Sequence, residues 1–341
     1  DFGSSSLKIF AEGKGVVLDE PAVVAIDNLT NNPIAFGSTA DKVNGRCADD
    51  ISISKVIQNG VVSDFVMAER MLRFYLQRVC GNRIYKPNVI ISLPSDVSNL
   101  EKRIFLDVVT LAGAGRVCLV DGILASAIGC GISPNSNNKR IVLDMGHHIT
   151  EYAIVQKGSI IIKGSVKHGS YDIDKTIINH LKRDRDILIG PHTAREIKNK
   201  ITYAEKRDCE TALFVSGKSY LDNMPISFEI NSTEIFPHID EQINVLVSEI
   251  RNSIMQISPD IMENTLEYGI VICGGCSLIF DISERLSKQL NTRCNVVEEP
   301  RFAKIKGLGV MMTNEELLDN NGYRFIFKDE ISDRLNNTGV V

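Results

Sequence analysis

Long apolar runs are missing from this sequence. No stretch approaches the roughly 18–20 residues that a membrane-spanning helix needs, so no transmembrane helix is expected. Long basic blocks are missing too. With 38 Lys and Arg against 43 Asp and Glu the formal net charge is −5, and nucleic acid is not expected as a partner. A dense cysteine framework is also absent. The eight cysteines, at positions 47, 80, 118, 130, 209, 273, 276 and 294, are scattered, and only Cys273 and Cys276 form a close pair. That pattern fits reduced thiols in a cytoplasm better than the disulfides of a secreted domain. No second Cys/His pair completes a zinc site around Cys273-Gly274-Gly275-Cys276, and the motif lies too late in the chain for a thioredoxin-like redox site. Asp144, His147, His148 and His168 are a weak metal set, because adjacent histidines in an extended strand point to opposite faces. The first residue is Asp1 rather than Met, so the natural protein is expected to begin before it, where an anchoring or targeting segment would fall outside the sequence.

What is present reads as an ordinary globular protein. The chain has 341 residues, 43% hydrophobic and 24% charged, and is long enough for two sizeable domains. Strand-like and helix-like stretches alternate, which predicts α/β layering. Residues 15–26 read as a β-hairpin turning at Asp19-Glu20-Pro21, and residues 66–79 as an amphipathic helix. Val89–Leu93 and Val117–Val120 are short buried strands around a helix from Ser98 to Ala112. The polar loop 134–139 is the clearest boundary between two halves. Beyond it, the pattern of the chain start recurs: Asp144-Met145-Gly146-His147 follows a strand and precedes a hairpin about Lys157-Gly158, as Asp1-Phe2-Gly3-Ser4 precedes its own. Helices are expected at 172–182, 193–207, 235–256 and 280–290, a hairpin at 214–228, and a strand at 268–272 entering Cys273. The tail after Asn314 shows no clear periodicity.

An Asp at a strand end, then a Gly turn and small hydroxyl residues, can hold a phosphate. Backbone N–H groups and hydroxyls meet the oxygens while the carboxylate orients metal-bound water. Two such turns facing one another would clamp a phosphate chain, and the Gly-rich turn at 274–275 would let backbone approach a base or ribose. One Asp-x-Gly alone is an ordinary turn. Asp1-Phe2-Gly3 also matches the metal-binding tripeptide of protein kinases, but no kinase Gly-rich loop or HRD-type segment accompanies it.

The three turns and the stretches between them resemble the bacterial actin-like MreB family, over nearly the whole chain. The similar segments are DFGSSS at 1–6, GKGVVLDEPAVVAID at 13–27, GVVSDFVMAERML at 60–72, LPSDVSNLEKR at 93–103, IVLDMGHHITE at 141–151, IINHLKRDRDILIGPHTAREIK at 177–198 and GIVICGGCSLI at 269–279. The resemblance implies an α/β fold of the actin-like ATPase type, with two lobes, each divided into two subdomains, around a nucleotide cleft. Lobe I would span 1–135, with a small insertion at about 32–65 and a return of 308–330. Lobe II would span 136–307, with an insertion at about 175–250. It further implies ATP or ADP with Mg2+ as cofactor. Asp1 and Asp144 would reach the metal through water, Ser4, Ser5, Ser6, Gly146, His147 and His148 would line the phosphates, and Arg195, Glu196, Ile197, Lys198, Gly274, Gly275, Cys276 and Ser277 would line the adenosine. Self-assembly into protofilaments at the inner face of the membrane would follow, with related MreB subunits as further partners. Ile84 and Tyr85, between Arg83 and Lys86, stand where the family carries its membrane loop.

The sequence departs from the family at the hydrolytic positions. The expected Glu before a Pro is Gly122 followed by Ile123, with Asp121 a shorter and displaced substitute. The expected loop Thr is Ile149, with Thr150 one position late. His147 and His148 replace glycines, Cys276 a third glycine, and Tyr171 an acidic residue. Weak or absent ATPase activity is therefore expected. Two readings stay open: a slow nucleotide-binding filament protein, and a filament subunit or regulator of active relatives whose cleft no longer depends on nucleotide. An ATP-dependent enzyme or chaperone of the same superfamily is the less favoured class, since no sugar-kinase signature is found.

Overall fold

The computed structural model describes residues 1–43, 50–81, 86–262 and 265–327. The chain divides into two compact units, one formed by 1–137, 155–163 and 302–341, the other by 138–154 and 164–301. Among the described residues no helix is long and apolar enough to cross a membrane.

The first unit starts with an antiparallel pair, Ser6–Ala11 on Gly15–Pro21, with Leu7 opposite Glu20. The expected hairpin over 15–26 is not formed. Gly15–Pro21 turns back on the strand before it through Gly13 and Gly15, at φ 73° and 76°, and Asp19 and Glu20 stay extended within the strand. Val23–Asp27 pairs instead with Asn32–Phe36 and Ile51–Lys55. The reason is conformational: the two glycines take the left-handed backbone that a tight turn needs, while Pro21 merely ends a strand.

The helix Phe65–Cys80 is capped by Asp64, whose carboxylate accepts from the Met67 N–H at 3.1 Å, and it buries Met67, Ala68, Met71, Leu72, Tyr75 and Leu76 along one face. Asn99–Leu111 starts with a reciprocal Ser98/Glu101 capping box. It connects the parallel strands Asn88–Leu93 and Arg116–Asp121, so the strand, helix and strand read from the sequence form a crossover. The tail holds more order than its sequence promised. Asn314 caps a helix at Glu315–Asn320, and Ile326–Phe327 adds an antiparallel edge to Arg116–Asp121.

The helices Gly122–Gly129 and Ala303–Met312 pack backbone on backbone. A Cβ at Gly129 would overlap the carbonyl oxygen of Ala303, and one at Gly307 that of Ala125. Residues 122–128 are all buried, so this contact closes the core on the side where the chain returns to the unit.

The second unit is built on a five-stranded sheet in the order Ser159–Val166, Thr150–Gln156, Arg140–Met145, Ile270–Cys273, Cys294–Val296. The last three strands run parallel, with Asp144 beside Cys273. The hairpin of its first two strands turns at Lys157 and Gly158, φ 50° and 70°, as expected, and its tip, 155–163, groups with the first unit. Helices Ser170–Asp184, Pro191–Ile201, Ser232–Met255 and Ile282–Leu290 and the hairpin of Ala212–Ser219 with Pro225–Asn231 complete the unit. The helix expected at 193–207 ends at Ile201, where Thr202 turns extended and Tyr203 bridges to Phe280.

Replacing Gly307 by Ala is expected to destabilise the protein by about 3 kcal/mol, since the added methyl meets backbone rather than a movable side chain. Urea unfolding of the variant against the parent checks this, and a midpoint unchanged in the variant would show that the two helices can separate freely.

Candidate functional site

The two Asp-x-Gly loops repeat one backbone device. The Gly3 N–H donates to the Ser6 carbonyl at 3.0 Å, and the Gly146 N–H donates to the Ile149 carbonyl at 3.0 Å. Each closes a small loop of polar residues at a strand end, Ser4-Ser5 in the first unit and His147-His148 in the second. The internal repetition seen in sequence is thus a repetition of hydrogen bonding.

In the first unit the loop is held from several sides. The Gly60 N–H donates to Ser4 Oγ at 3.3 Å, and the Ala22 N–H to the Ser5 carbonyl at 3.1 Å. Lys8, which the sequence did not single out, is 7% exposed, donates from Nζ to Ser6 Oγ at 2.6 Å and stands 3.6 Å from Asp1 Oδ2. A charged residue at the third position of a buried strand was the available signal, because lysine is seldom enclosed without a partner. Ser6 therefore meets an ammonium before it meets any ligand.

Asp121 immediately precedes the helix Gly122–Gly129, and its side chain makes no capping bond to it. Its carboxylate pairs with Lys163 and accepts from the Tyr323 hydroxyl at 2.8 Å. Burial and the adjoining carboxylate raise the Tyr323 phenol far above its ordinary value, so it stays a donor. At Gly122 the position of a Cβ lies 3.0 Å from the Leu93 carbonyl and 3.4 Å from Lys304 Nζ. The Gly122 position is thus tightly enclosed.

In the second unit Asp144 is buried at the end of its strand. Gly274 adjoins it at φ 88°, and a Cβ there would overlap Asp144 Oδ1. The glycine is what admits the carboxylate. The Ser277 hydroxyl donates to the Gly274 carbonyl at 2.7 Å, tightening the same turn, while Gly275 is exposed. Cys276 is 1% exposed, and burial pushes its thiol up to about 12, opposed by the ammonium of Lys198. Lys198 in turn pairs with Asp174 at 2.8 Å, both side chains under a tenth exposed, and donates to the Ser170 carbonyl at 3.3 Å.

The substituted loop is stabilised by rings. His148 stacks on Tyr171 at 4.5 Å between centroids, and His147 meets His148 edge-on at 4.6 Å. His147 Nδ1 lies 3.0 Å from Ser170 Oγ, and the Tyr171 N–H donates to the His147 carbonyl at 2.8 Å. Tyr171, where an acidic residue was expected, supplies the face on which His148 rests.

The geometry separates the remaining candidates. Thr150 is fully buried, and its hydroxyl donates to the His168 carbonyl at 2.9 Å, inside the sheet. Ile197 is fully buried core. Glu196 pairs with Lys200 at 2.7 Å along the helix surface, and Arg195 is half-buried beside it. Ile84 and Tyr85 lie outside the described residues.

Comparison with known proteins adds the following. The profile of the family described as MreB/Mbl protein matches residues 1–320. The cell shape-determining protein MreB of Escherichia coli (strain K12) is 29% identical over 328 residues, covering 94% of each chain. The crystal structure of MreB5 of Spiroplasma citri bound to ADP superposes with a TM-score of 0.87 at 24% identity, covering 94% of this chain and 97% of that one. The MamK double helical filament superposes with a TM-score of 0.75 at 16% identity, covering 92% and 97%. The α/β fold is therefore the actin-like one, as the sequence implied.

Burial raises the thiols of Cys118 and Cys276 to about 12 and that of Cys294 to about 11, while Cys209 is exposed. All three remain neutral thiols at pH 8 and are expected to resist alkylation, which needs the thiolate, whereas Cys209 reacts. Mass spectrometry after iodoacetamide treatment of the folded protein checks this; rapid labelling of Cys276 would mean its turn opens readily.

Proposed function

The chain belongs to the MreB/Mbl family, and on that premise we propose that it is an actin-like cytoskeletal filament protein that polymerises at the inner face of the cell membrane and helps to organise cell shape. The observation that carries this reading is the family match over residues 1–320. It is supported by a relative that determines cell shape and by a similar fold in a double helical filament.

We further propose that each subunit binds ATP or ADP with Mg2+. The fit rests on three features: the same glycine-closed turn in both loops, the buried Asp144 that only a glycine at 274 admits, and the buried cation Lys198 beside Cys276. Asp1 and Asp144 would hold the metal through water. Ser4, Ser5, Ser6, Gly146, His147 and His148 would face phosphate oxygens, and Arg195, Lys198 and the 274–277 turn the adenosine side. Magnesium, when bound, would offset phosphate charge. Ser6 gives its oxygen lone pair to Lys8, so the ammonium lends this loop positive charge. Hydrolysis would be weak or absent, because Gly122 offers no carboxylate, Ile149 no hydroxyl, and Thr150 donates its proton to backbone.

A second reading, a nucleotide-independent filament subunit or a regulator of active relatives, is favoured by one observation. The His147, His148 and Tyr171 rings are packed on one another at the loop meant for phosphate.

Sedimentation of the protein with and without Mg-ATP, alone and on anionic liposomes, tests the filament reading. Pelleting is expected, strongest on liposomes and weakened by replacing Ile84 and Tyr85 with Ser; a chain that stays in the supernatant throughout is not a filament former. Titration calorimetry is expected to give micromolar affinity for ATP, and silence at millimolar nucleotide would favour the second reading. The double substitution His147→Gly with His148→Gly is expected to tighten binding by about tenfold, or ~1.4 kcal/mol. An unchanged constant would clear the imidazoles of obstructing the loop.

A further inference from the structure

Away from both loops, two helices of the second unit bring together residues that the proposed function does not use. His180 and Asp184 lie four residues apart on the helix Ser170–Asp184, and Glu234 and His238 four apart on Ser232–Met255. That spacing puts each pair on one face of its helix. His180 is 7% exposed. Its Nδ1 stands 2.8 Å from Asp184 Oδ2 and its Nε2 3.1 Å from Glu234 Oε1. The His238 ring lies 4.3 Å from the His180 ring, centroid to centroid. One donor atom from each of His180, Asp184 and His238 falls within 4.8 Å of the other two.

We propose that His180, Asp184 and His238 form a binding site for a divalent transition-metal ion, zinc above all, oriented by Glu234. Two imidazole nitrogens and one carboxylate oxygen are the donor types that borderline ions such as zinc prefer over calcium or magnesium. Bonds of about 2.0–2.2 Å in a tetrahedron set donors roughly 3.3 Å apart, within the 4.8 Å that already spans the three donor atoms. With the ion bound, Glu234 would accept from Nε2–H and leave the Nδ1 lone pair for the metal on the Asp184 side. This carboxylate behind a metal-binding imidazole is the arrangement that orients such ligands. The Asp184 side chain is 37% exposed, so water can complete the shell.

Two cations compete for the same carboxylates. Arg183 donates to both oxygens of Asp184, at 2.9 and 3.2 Å, and Arg185 reaches Glu234 at 3.4 Å. Arg183 is 72% exposed, and an ion pair in water opens at little cost. Arg185 touches only the orienting carboxylate and also donates to the Glu229 carbonyl at 2.8 Å, so it remains in place when the metal enters. The ion would tie one helix to the other through three side chains.

The test is zinc chloride titrated into the full chain against a chromophoric chelator, with cobalt as a spectroscopic substitute. One equivalent bound at micromolar affinity or tighter is expected. His180→Ala and His238→Ala should each weaken it at least tenfold, Glu234→Gln about tenfold, and His192→Ala, on another helix, not at all. Cobalt should give tetrahedral bands without thiolate charge transfer; a thiolate band would place the ion on cysteine and overturn the proposal, as would zinc affinity unchanged in His238→Ala. If a variant unfolds, the parent decides. Zinc should shift the ring nitrogens of His180 and His238 together in NMR spectra while His192 stays fixed, and no shift in either ring refutes the site.

Discussion

Two helix backbones touch because Gly129 and Gly307 have no side chains, and much of the first unit depends on that contact. The helix Gly122–Gly129 starts at Asp121 and hides every residue from Gly122 to Ile128. Its partner, Ala303–Met312, places Lys304 beside Gly122 and Gly309 against the Phe10 ring. The segment that follows delivers Tyr323 to Asp121. Interiors are packed closely enough that a single methyl between two backbones must move one of them. The first strand, the Gly122 position and the returning tail are therefore parts of a single packing problem.

A second principle governs both loops: their charged residues already have partners. Lys8 is engaged with Asp1 and Ser6, Asp121 with Lys163 and Tyr323, and Lys198 with Asp174 and the Ser170 carbonyl. A buried charge without such partners is costly, so these pairs keep the loops in shape when nothing is bound. Gly122 and Ile149 differ in kind, because they carry no polar side-chain group that could be recruited by rearrangement.

Much of this was legible in the sequence because it is written in local patterns. Amphipathic spacing marked the helix read at 66–79, which the structure places at Phe65–Cys80, and the Lys157-Gly158 turn marked the central hairpin. The paired Asp-x-Gly turns were visible as spelling and proved to be matched hydrogen bonds. What stayed hidden is non-local. The partner of Gly15–Pro21 depends on which neighbouring turn is tighter, and the order after Asn314 depends on a strand edge far back in the chain. Lys8 drew no notice until its strand was enclosed, and Tyr171 gained meaning only when His148 came to rest on its ring. The His180 cluster was equally unreadable, since its two pairs come from helices separated by another helix and a hairpin.

The division of the chain has a consequence for synthesis. The first unit takes residues 1–137 and 155–163 but also needs 302 onward, while the second is complete once residue 301 has emerged. A chain made from its amino end thus finishes its second unit first. The mostly apolar surface of Gly122–Gly129 waits through the synthesis of about half the protein for the helix that covers it. Exposed apolar surface of that kind is what chaperones bind and what aggregates at high concentration. Completion of the first unit is a late event by construction, timed by the arrival of Gly307 at Ala125.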